Sequence, residues 1–183
     1  TSSPCKPQLS AMDFSNGKST KGLAFVAEND RFLTMGVKPT RPEPGYGYIQ
    51  MGDVFCDNMY QVQSFTEKPE RDFAKIFVES GEFYWNTGLF LSNVKHLREC
   101  FCKILPPVLR DYDKLYPEFS IETENAYMKE SFSSYPNISV DFGILEKPSN
   151  VCVMKCDFGW ADLGTWHSIY EAMQKSSDDN VVI

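Results

Sequence analysis

Long apolar runs are missing from this 183-residue sequence. The longest, such as Phe142 to Leu145, fall far short of the roughly 20 apolar residues that a bilayer-spanning helix needs, so no membrane association is expected. Nor does a basic, apolar leader ending in small residues open the chain, so secretion is not signalled and a cytoplasmic protein is the expectation. Basic charge is in deficit: 18 Lys and Arg stand against 25 Asp and Glu, for a net charge of -7. Such a surface offers no general attraction to a nucleic acid, although a small phosphorylated ligand needs only one or two well-placed cations. Paired C-x-x-C cysteines are also absent. The six cysteines, Cys5, Cys56, Cys100, Cys102, Cys152 and Cys156, show no disulfide framework, and a chain of this size can build a core without one. His96, Cys100 and Cys102 can be read as metal ligands, but reduced thiols are the better reading.

What the sequence does contain is ordinary globular material: 42% hydrophobic and 23% charged residues, with 14% aromatic. Residues 1–20 are polar and weakly patterned and read as loop or linker. Gly22 to Asp30 reads as the end of a helix. Strands are expected at Arg31 to Val37, Tyr46 to Met51, Gln61 to Glu67, Thr87 to Leu91, Ile138 to Leu145 and Val151 to Lys155. Pro69 opens a helix that Gly81 closes, and Ser92-Asn93 opens another, with Val94, Leu97, Phe101 and Leu105 as its apolar stripe. Pro106-Pro107 interrupts that pattern before a further helical stretch over Val108 to Leu115, and Trp166 to Lys175 reads as a closing helix. Strands alternating with helices make the class α/β.

Four stretches put polar groups beside Gly, Pro or Trp near strand ends, where open α/β sheets bind ligands. In Gly45-Tyr46-Gly47-Tyr48 the glycines let backbone approach a ligand, or simply make a tight strand entrance. Glu67-Lys68-Pro69 pairs a carboxylate for hydroxyls with an ammonium for a phosphate, or is a solvated surface pair. Asn86 in Tyr84-Trp85-Asn86-Thr87-Gly88 carries donors and an acceptor suited to adjacent hydroxyls, or is a turn residue beside a core Trp. Asp162, between two glycines and two tryptophans in Phe158 to Trp166, suits Mg²⁺, which takes few protein oxygens. A helix N-cap explains it equally. Asp141 could touch a sugar or cap a strand end, and His167 reads as structural.

The order of these stretches closely resembles the mannose-1-phosphate guanylyltransferase family. The resemblance rests on Lys38-Pro39-Thr40-Arg41-Pro42-Glu43-Pro44-Gly45-Tyr46-Gly47-Tyr48-Ile49, Phe65-Thr66-Glu67-Lys68-Pro69, Trp85 to Gly88, Ser139 to Glu146 and Gly159 to Trp166, and covers residues 21–183. It implies a Rossmann-like, GT-A-like mixed sheet flanked by helices, incomplete at the N-terminus, with residues 21–183 forming the sugar-phosphate-binding part. It implies transfer of GMP from GTP to mannose 1-phosphate, giving GDP-mannose and pyrophosphate with Mg²⁺ as cofactor. Carried over by position, Gly47 offers backbone to the mannose, Glu67 and Asn86 hold hydroxyls, and Thr87 and Asp141 complete the pocket. Lys68 neutralises the phosphate and Asp162 ligates the metal, so these two are the expected catalytic residues.

The family's opening Gly-rich, Arg-containing loop, Pro-Lys pair and first metal-binding Asp have no counterpart here, with Pro4-Cys5-Lys6-Pro7 only a faint echo. The expectation is therefore a fragment, inactive alone, of an enzyme that could be a homodimer. Three other readings stand beside it. One is a nucleotidyltransferase for a different sugar phosphate or base. The second is a non-catalytic sugar-nucleotide-sensing regulatory subunit, and the last is a plain interaction domain.

Overall fold

A computed structural model describes residues 18–146, 150–157, 160–164, 166–173 and 175. The centre of the fold is β1 (Phe32–Val37), whose six residues are all buried. A largely apolar run of this kind, interrupted by the single hydroxyl of Thr34, is what a strand covered on both faces requires. It pairs in parallel with β5 (Val151–Cys156) on one side and antiparallel with β4 (Phe83–Leu91) on the other.

β2 (Gly47–Cys56) and β3 (Met59–Thr66) form a hairpin that turns at Asp57, a residue type that tolerates the left-handed φ of 44° found there. β2 continues the sheet from β4, and the start of β3 reaches β5. The strand order β1-β4-β2-β3-β5 therefore closes on itself. Asn58 secures the closure, its Nδ2 donating to the Lys155 carbonyl at 2.8 Å. The expected mixed sheet flanked by helices is present; its closure into a barrel was not foreseen.

Among the described residues, six α-helices accompany the barrel: α1 (Lys18–Glu28), α2 (Arg71–Ser80), α3 (Val94–Ile104), α4 (Pro106–Asp113), α5 (Ile121–Ser131) and α6 (Trp166–Ala172). α2 ends as expected at Gly81, which takes a φ of 72° that costs a residue without Cβ nothing. Its Phe77 stacks on Phe83 with ring centroids 4.0 Å apart. α3 begins at Asn93, whose side chain accepts the His96 N–H at 2.7 Å and donates to the Val26 carbonyl at the end of α1. Leu97, Phe101 and Ile104 carry α3 onto the core around Phe32 and Ile49, whereas Val94 is exposed and Ile104 takes the place expected of Leu105. Among the described residues no helix is long and apolar enough to cross a membrane.

Several expectations need correcting. The segment read as polar loop to residue 20 is already helical from Lys18. Residues 1–17, with Cys5 and the Pro4 to Pro7 echo, lie outside the described residues. β4 starts at Phe83, so Trp85 and Asn86 sit within the strand rather than before it. Ile138 to Leu145 is not a strand: Asp141–Leu145 forms a π-helical turn. Val140, Ile144 and Leu145 reach the core together because a spacing of four and five residues shares one helical face, while Phe142 is exposed. α5 was missed altogether. It buries no residue and so carries no apolar stripe, and only the Ser120–Thr123 capping box marks its start.

The His96, Cys100 and Cys102 set does not assemble either. His96 is buried against the Phe32 ring with Cys100 Sγ 3.6 Å from its Nε2, whereas Cys102 is exposed. Among the described residues, no group of three or more His, Cys, Asp or Glu side chains could hold a metal.

Candidate functional site

A cleft of about 470 Å³ opens beyond the carboxyl ends of the parallel strands β1 and β5. Gly47, Glu67, Lys68, Asn86, Thr87, Asp141 and Asp162 all line it. Separate chain segments converge there, and the register of the sheet is what brings them together. Gly47, the first residue of β2, lies directly across from Asn86 on β4. A Cβ at Gly47 would stand 2.6 Å from Glu67 Oε2, 3.3 Å from Phe65 Cζ and 3.4 Å from Asn86 Cβ, so only glycine leaves the floor open.

Glu67 and Lys68 follow β3 where the chain turns toward α2. Lys68 takes a left-handed φ of 46°, which is strained for a residue with a side chain. Its Nζ stays 3.9 Å from Glu67 Oε1, too far for a tight pair, and the lysine side chain is 67% exposed. The ammonium is thus held near the cleft without being neutralised.

Asn86 owes its position to a bulge. Thr34 of β1 pairs with Phe90 of β4, yet Gly36, two residues on, pairs with Asn86, four residues back. The extra residues of β4 bend outward through Gly88, whose φ is 73°. Side chains make good the ladder bonds lost. Thr87 Oγ1 donates to the Met35 carbonyl at 3.0 Å and accepts the Leu89 N–H at 3.3 Å, while Asn86 Oδ1 accepts the Gly88 N–H at 3.3 Å. Thr87 therefore lines the cleft with its hydroxyl already engaged in holding the bulge. Asn86 Nδ2 donates across the cleft to Asp141 Oδ1 at 3.0 Å.

The opposite wall is aromatic. Tyr46 meets Trp85 and Trp160 edge to face, with centroids 5.0 Å away in each case. The Tyr46 hydroxyl accepts the Asp162 N–H at 3.3 Å, which ties the segment after β5 to the cleft. Asp162 Oδ1 in turn accepts the Gly164 N–H at 3.0 Å. This is a local turn two residues long and not the helix N-cap considered from the sequence, since α6 begins at Trp166. Phe158, Gly159 and Thr165 lie outside the described residues, as does the His167 side chain.

A family model described as nucleotidyl transferase matches residues 15–179. The chain belongs to the nucleotidyl transferase family. It is 32% identical over 166 residues to a mannose-1-phosphate guanylyltransferase of Sinorhizobium fredii, covering 90% of this chain and 32% of that protein. A second, from Escherichia coli K12, is 33% identical over 162 residues, covering 85% of this chain and 34% of the relative. The chain thus spans about a third of the length of the curated relatives it matches. Among solved structures, a mannose-1-phosphate geranyltransferase from Thermus thermophilus superposes with a TM-score of 0.71 at 29% identity, covering 84% of this chain and 43% of that one. A mannose-6-phosphate isomerase from Helicobacter pylori shares the fold, with a TM-score of 0.64 at 22% identity, over 82% of this chain and 59% of its own.

The cleft is electrostatically loaded. Burial pushes the Glu67 carboxyl above its ordinary value, the Asp141 charge adds to the rise, Lys68 opposes it, and Glu146 adds to it. Glu146 is itself raised, by burial and then by Asp141. Sequence reasoning assigned Glu146 no role, and only its arrival beside Asp141 on the π-helical turn gives it one. Thr34 was missed too, although a lone hydroxyl in the apolar run of β1 was a signal.

A raised carboxyl means that the folded chain holds a proton where the unfolded chain releases it. The resulting stability is present at low pH and is lost as pH rises from the ordinary glutamate value through the folded one. Glu67→Gln should therefore melt above wild type at neutral pH, with the gap closing toward about pH 3, well below the ordinary glutamate value, where Glu67 is protonated in both states. Because the side chain is 36% exposed, solvent screening holds the gap to about 2–4 °C at most. Thermal melts across that range check it, and a gap that widens on acidification would refute it.

Among the candidate residues, the metal expectation rests on Asp162. It is an exposed carboxylate on an anchored turn at the cleft. One carboxylate fits Mg²⁺, which draws most of its ligands from water and phosphate oxygens.

Proposed function

We propose that this chain is the sugar-phosphate-binding part of a mannose-1-phosphate guanylyltransferase, which transfers GMP from GTP to mannose 1-phosphate and releases pyrophosphate. The observation that carries the reading is the division of labour in one cleft. Lys68 supplies a charge for the phosphate, while Glu67, Asn86 and Asp141 supply separate partners for hydroxyls. The names of the Sinorhizobium fredii and Escherichia coli relatives support the same sugar and nucleotide.

In this reading Gly47 lets the sugar lie against backbone, and Glu67 accepts from its hydroxyls. Asn86 and Asp141, already bonded to each other, present a donor beside an acceptor. Lys68 Nζ draws the phosphate to the mouth of the cleft and offsets its charge. An ionised phosphate oxygen then attacks the α-phosphorus of GTP in line as the bond to pyrophosphate breaks. The nucleophile arrives ionised, so no side chain need remove a proton or form a covalent intermediate, and positioning supplies the catalysis. Asp162 would hold Mg²⁺, which when bound offsets charge on the phosphates.

Calorimetric titration tests the reading, with mannose 1-phosphate as ligand and glucose 1-phosphate and free mannose as comparators. Selective binding of mannose 1-phosphate is expected, weakened about tenfold by Lys68→Ala, the low end for a charged contact because the lysine is largely exposed. Equal binding of glucose 1-phosphate would displace mannose as the sugar. Undiminished binding by Lys68→Ala would remove the lysine from the phosphate site.

A further inference from the structure

We propose that Thr34 is a positioning residue that holds the Asn86 amide in the orientation it presents to the cleft. The proposal concerns the architecture of the site, and its effect on ligand binding rests on the sugar-phosphate reading above.

Thr34 is 1% exposed, in the middle of a strand whose other residues are apolar or glycine. A hydroxyl taken out of water there costs stability unless it is hydrogen-bonded, and an apolar residue of the same shape would avoid that penalty. Its Oγ1 lies 3.0 Å from Asn86 Oδ1 and 3.2 Å from the Leu89 carbonyl oxygen. The Leu89 carbonyl can only accept and the amide oxygen accepts in this orientation, so the single hydroxyl proton is shared between them.

A side-chain amide has two orientations related by a half-turn that exchanges oxygen and NH₂. For Asn86 two neighbours choose between them and Thr34 strengthens the choice. The Gly88 N–H, 3.3 Å away, can only donate and so calls for oxygen on its side, and the Thr34 hydroxyl, able to donate or accept, adds a second bond to that oxygen. At the other end Asp141 Oδ1 accepts at 3.0 Å, so it calls for nitrogen. Turned over, the amide would set oxygen against a carboxylate and NH₂ against an N–H donor.

With the orientation chosen, one Nδ2 proton goes to Asp141 and no described residue takes the other. That second N–H and the remaining Asp141 oxygen form an adjacent donor and acceptor at the cleft, a match for neighbouring hydroxyls on one ligand. Thr34 never touches that ligand. It acts from behind the sheet, 52 residues before Asn86 in sequence.

Thr34→Val keeps the shape and removes the donor, and Thr34→Ser keeps the donor. The direct readout is the side-chain ¹⁵N–¹H pair of Asn86 in the intact chain without ligand, assigned by its loss in Asn86→Asp. In Thr34→Val that pair should shift and broaden, and in Thr34→Ser it should return to the wild-type position. Mannose 1-phosphate affinity should fall about tenfold in Thr34→Val, stay within about threefold in Thr34→Ser, and show no further fall when Thr34→Val is added to Asn86→Ala. An unchanged Asn86 pair in folded Thr34→Val, or an equal loss of affinity in the Asn86→Ala background, would overturn the proposal. A shifted pair in a chain that binds no mannose 1-phosphate would uphold the positioning and overturn the substrate reading instead.

Discussion

Asp162→Asn in the full-length protein is expected to lower turnover by about 100- to 1,000-fold at saturating substrates while leaving the fold intact. The reasoning starts from what the substitution preserves. The Gly164 N–H bonds to Asp162 Oδ1, and an asparagine oxygen accepts the same bond. The segment also stays anchored through its own backbone, because the Asp162 N–H reaches the buried Tyr46 hydroxyl whatever the side chain is. What disappears is one negative charge at the cleft. If that charge holds the metal which offsets the phosphates, several kcal/mol of transition-state stabilisation go with it, and each 1.36 kcal/mol is about tenfold in rate. Binding of mannose 1-phosphate measured in EDTA should not change. Steady-state kinetics beside a metal-free titration checks both halves. Turnover within about threefold of wild type would remove Asp162 from the metal site.

Gly47→Ala is expected to weaken mannose 1-phosphate binding by about 10- to 100-fold with little loss of stability. The new methyl would meet Glu67 Oε2 at 2.6 Å, closer than any real contact, so one of the two must move. Glu67 is the one that can, since its carboxylate ends a flexible side chain and is partly exposed. The backbone of β2 is held in register by β3 and β4 and gives way less readily. A displaced Glu67 forfeits a charged hydrogen bond to the ligand, about 1.5–3 kcal/mol, and the methyl occupies space at the cleft floor. Calorimetry and a thermal melt on the same sample distinguish this from unfolding. Wild-type affinity in the alanine variant would mean that Gly47 serves the strand entrance alone.

Much of this protein was legible before any fold was drawn. The apolar run of β1, the glycine that closes α2 and the asparagine that opens α3 are local signals, because turn chemistry and burial periodicity act over a few residues. Local, too, are the motifs that mark the cleft: Glu67-Lys68, Trp85 to Gly88 and the turn at Asp162 each sit within a single stretch. Family membership followed from their order. Errors arose where two periodicities compete, as in Ile138 to Leu145, whose alternation suggests a strand while its spacing of four and five also suits a helical face. They arose again in α5, which buries nothing and so leaves no pattern.

Only the tertiary structure decided how those residues act together. Thr34 lies 52 residues from Asn86, Asn86 lies 55 from Asp141, and Tyr46 lies 116 from Asp162. No local pattern encodes such partners, because they meet through strand register and through a bulge that re-aims β4 by inserting residues. The same holds for the charges, since Glu67 and Glu146 acquire their raised carboxyls only when folding buries them beside Asp141. Sequence alone determined which chemical groups this protein carries and in what order. The closed sheet decided which of them face one another, since polar groups gain their partners and lose their water only once the chain has packed.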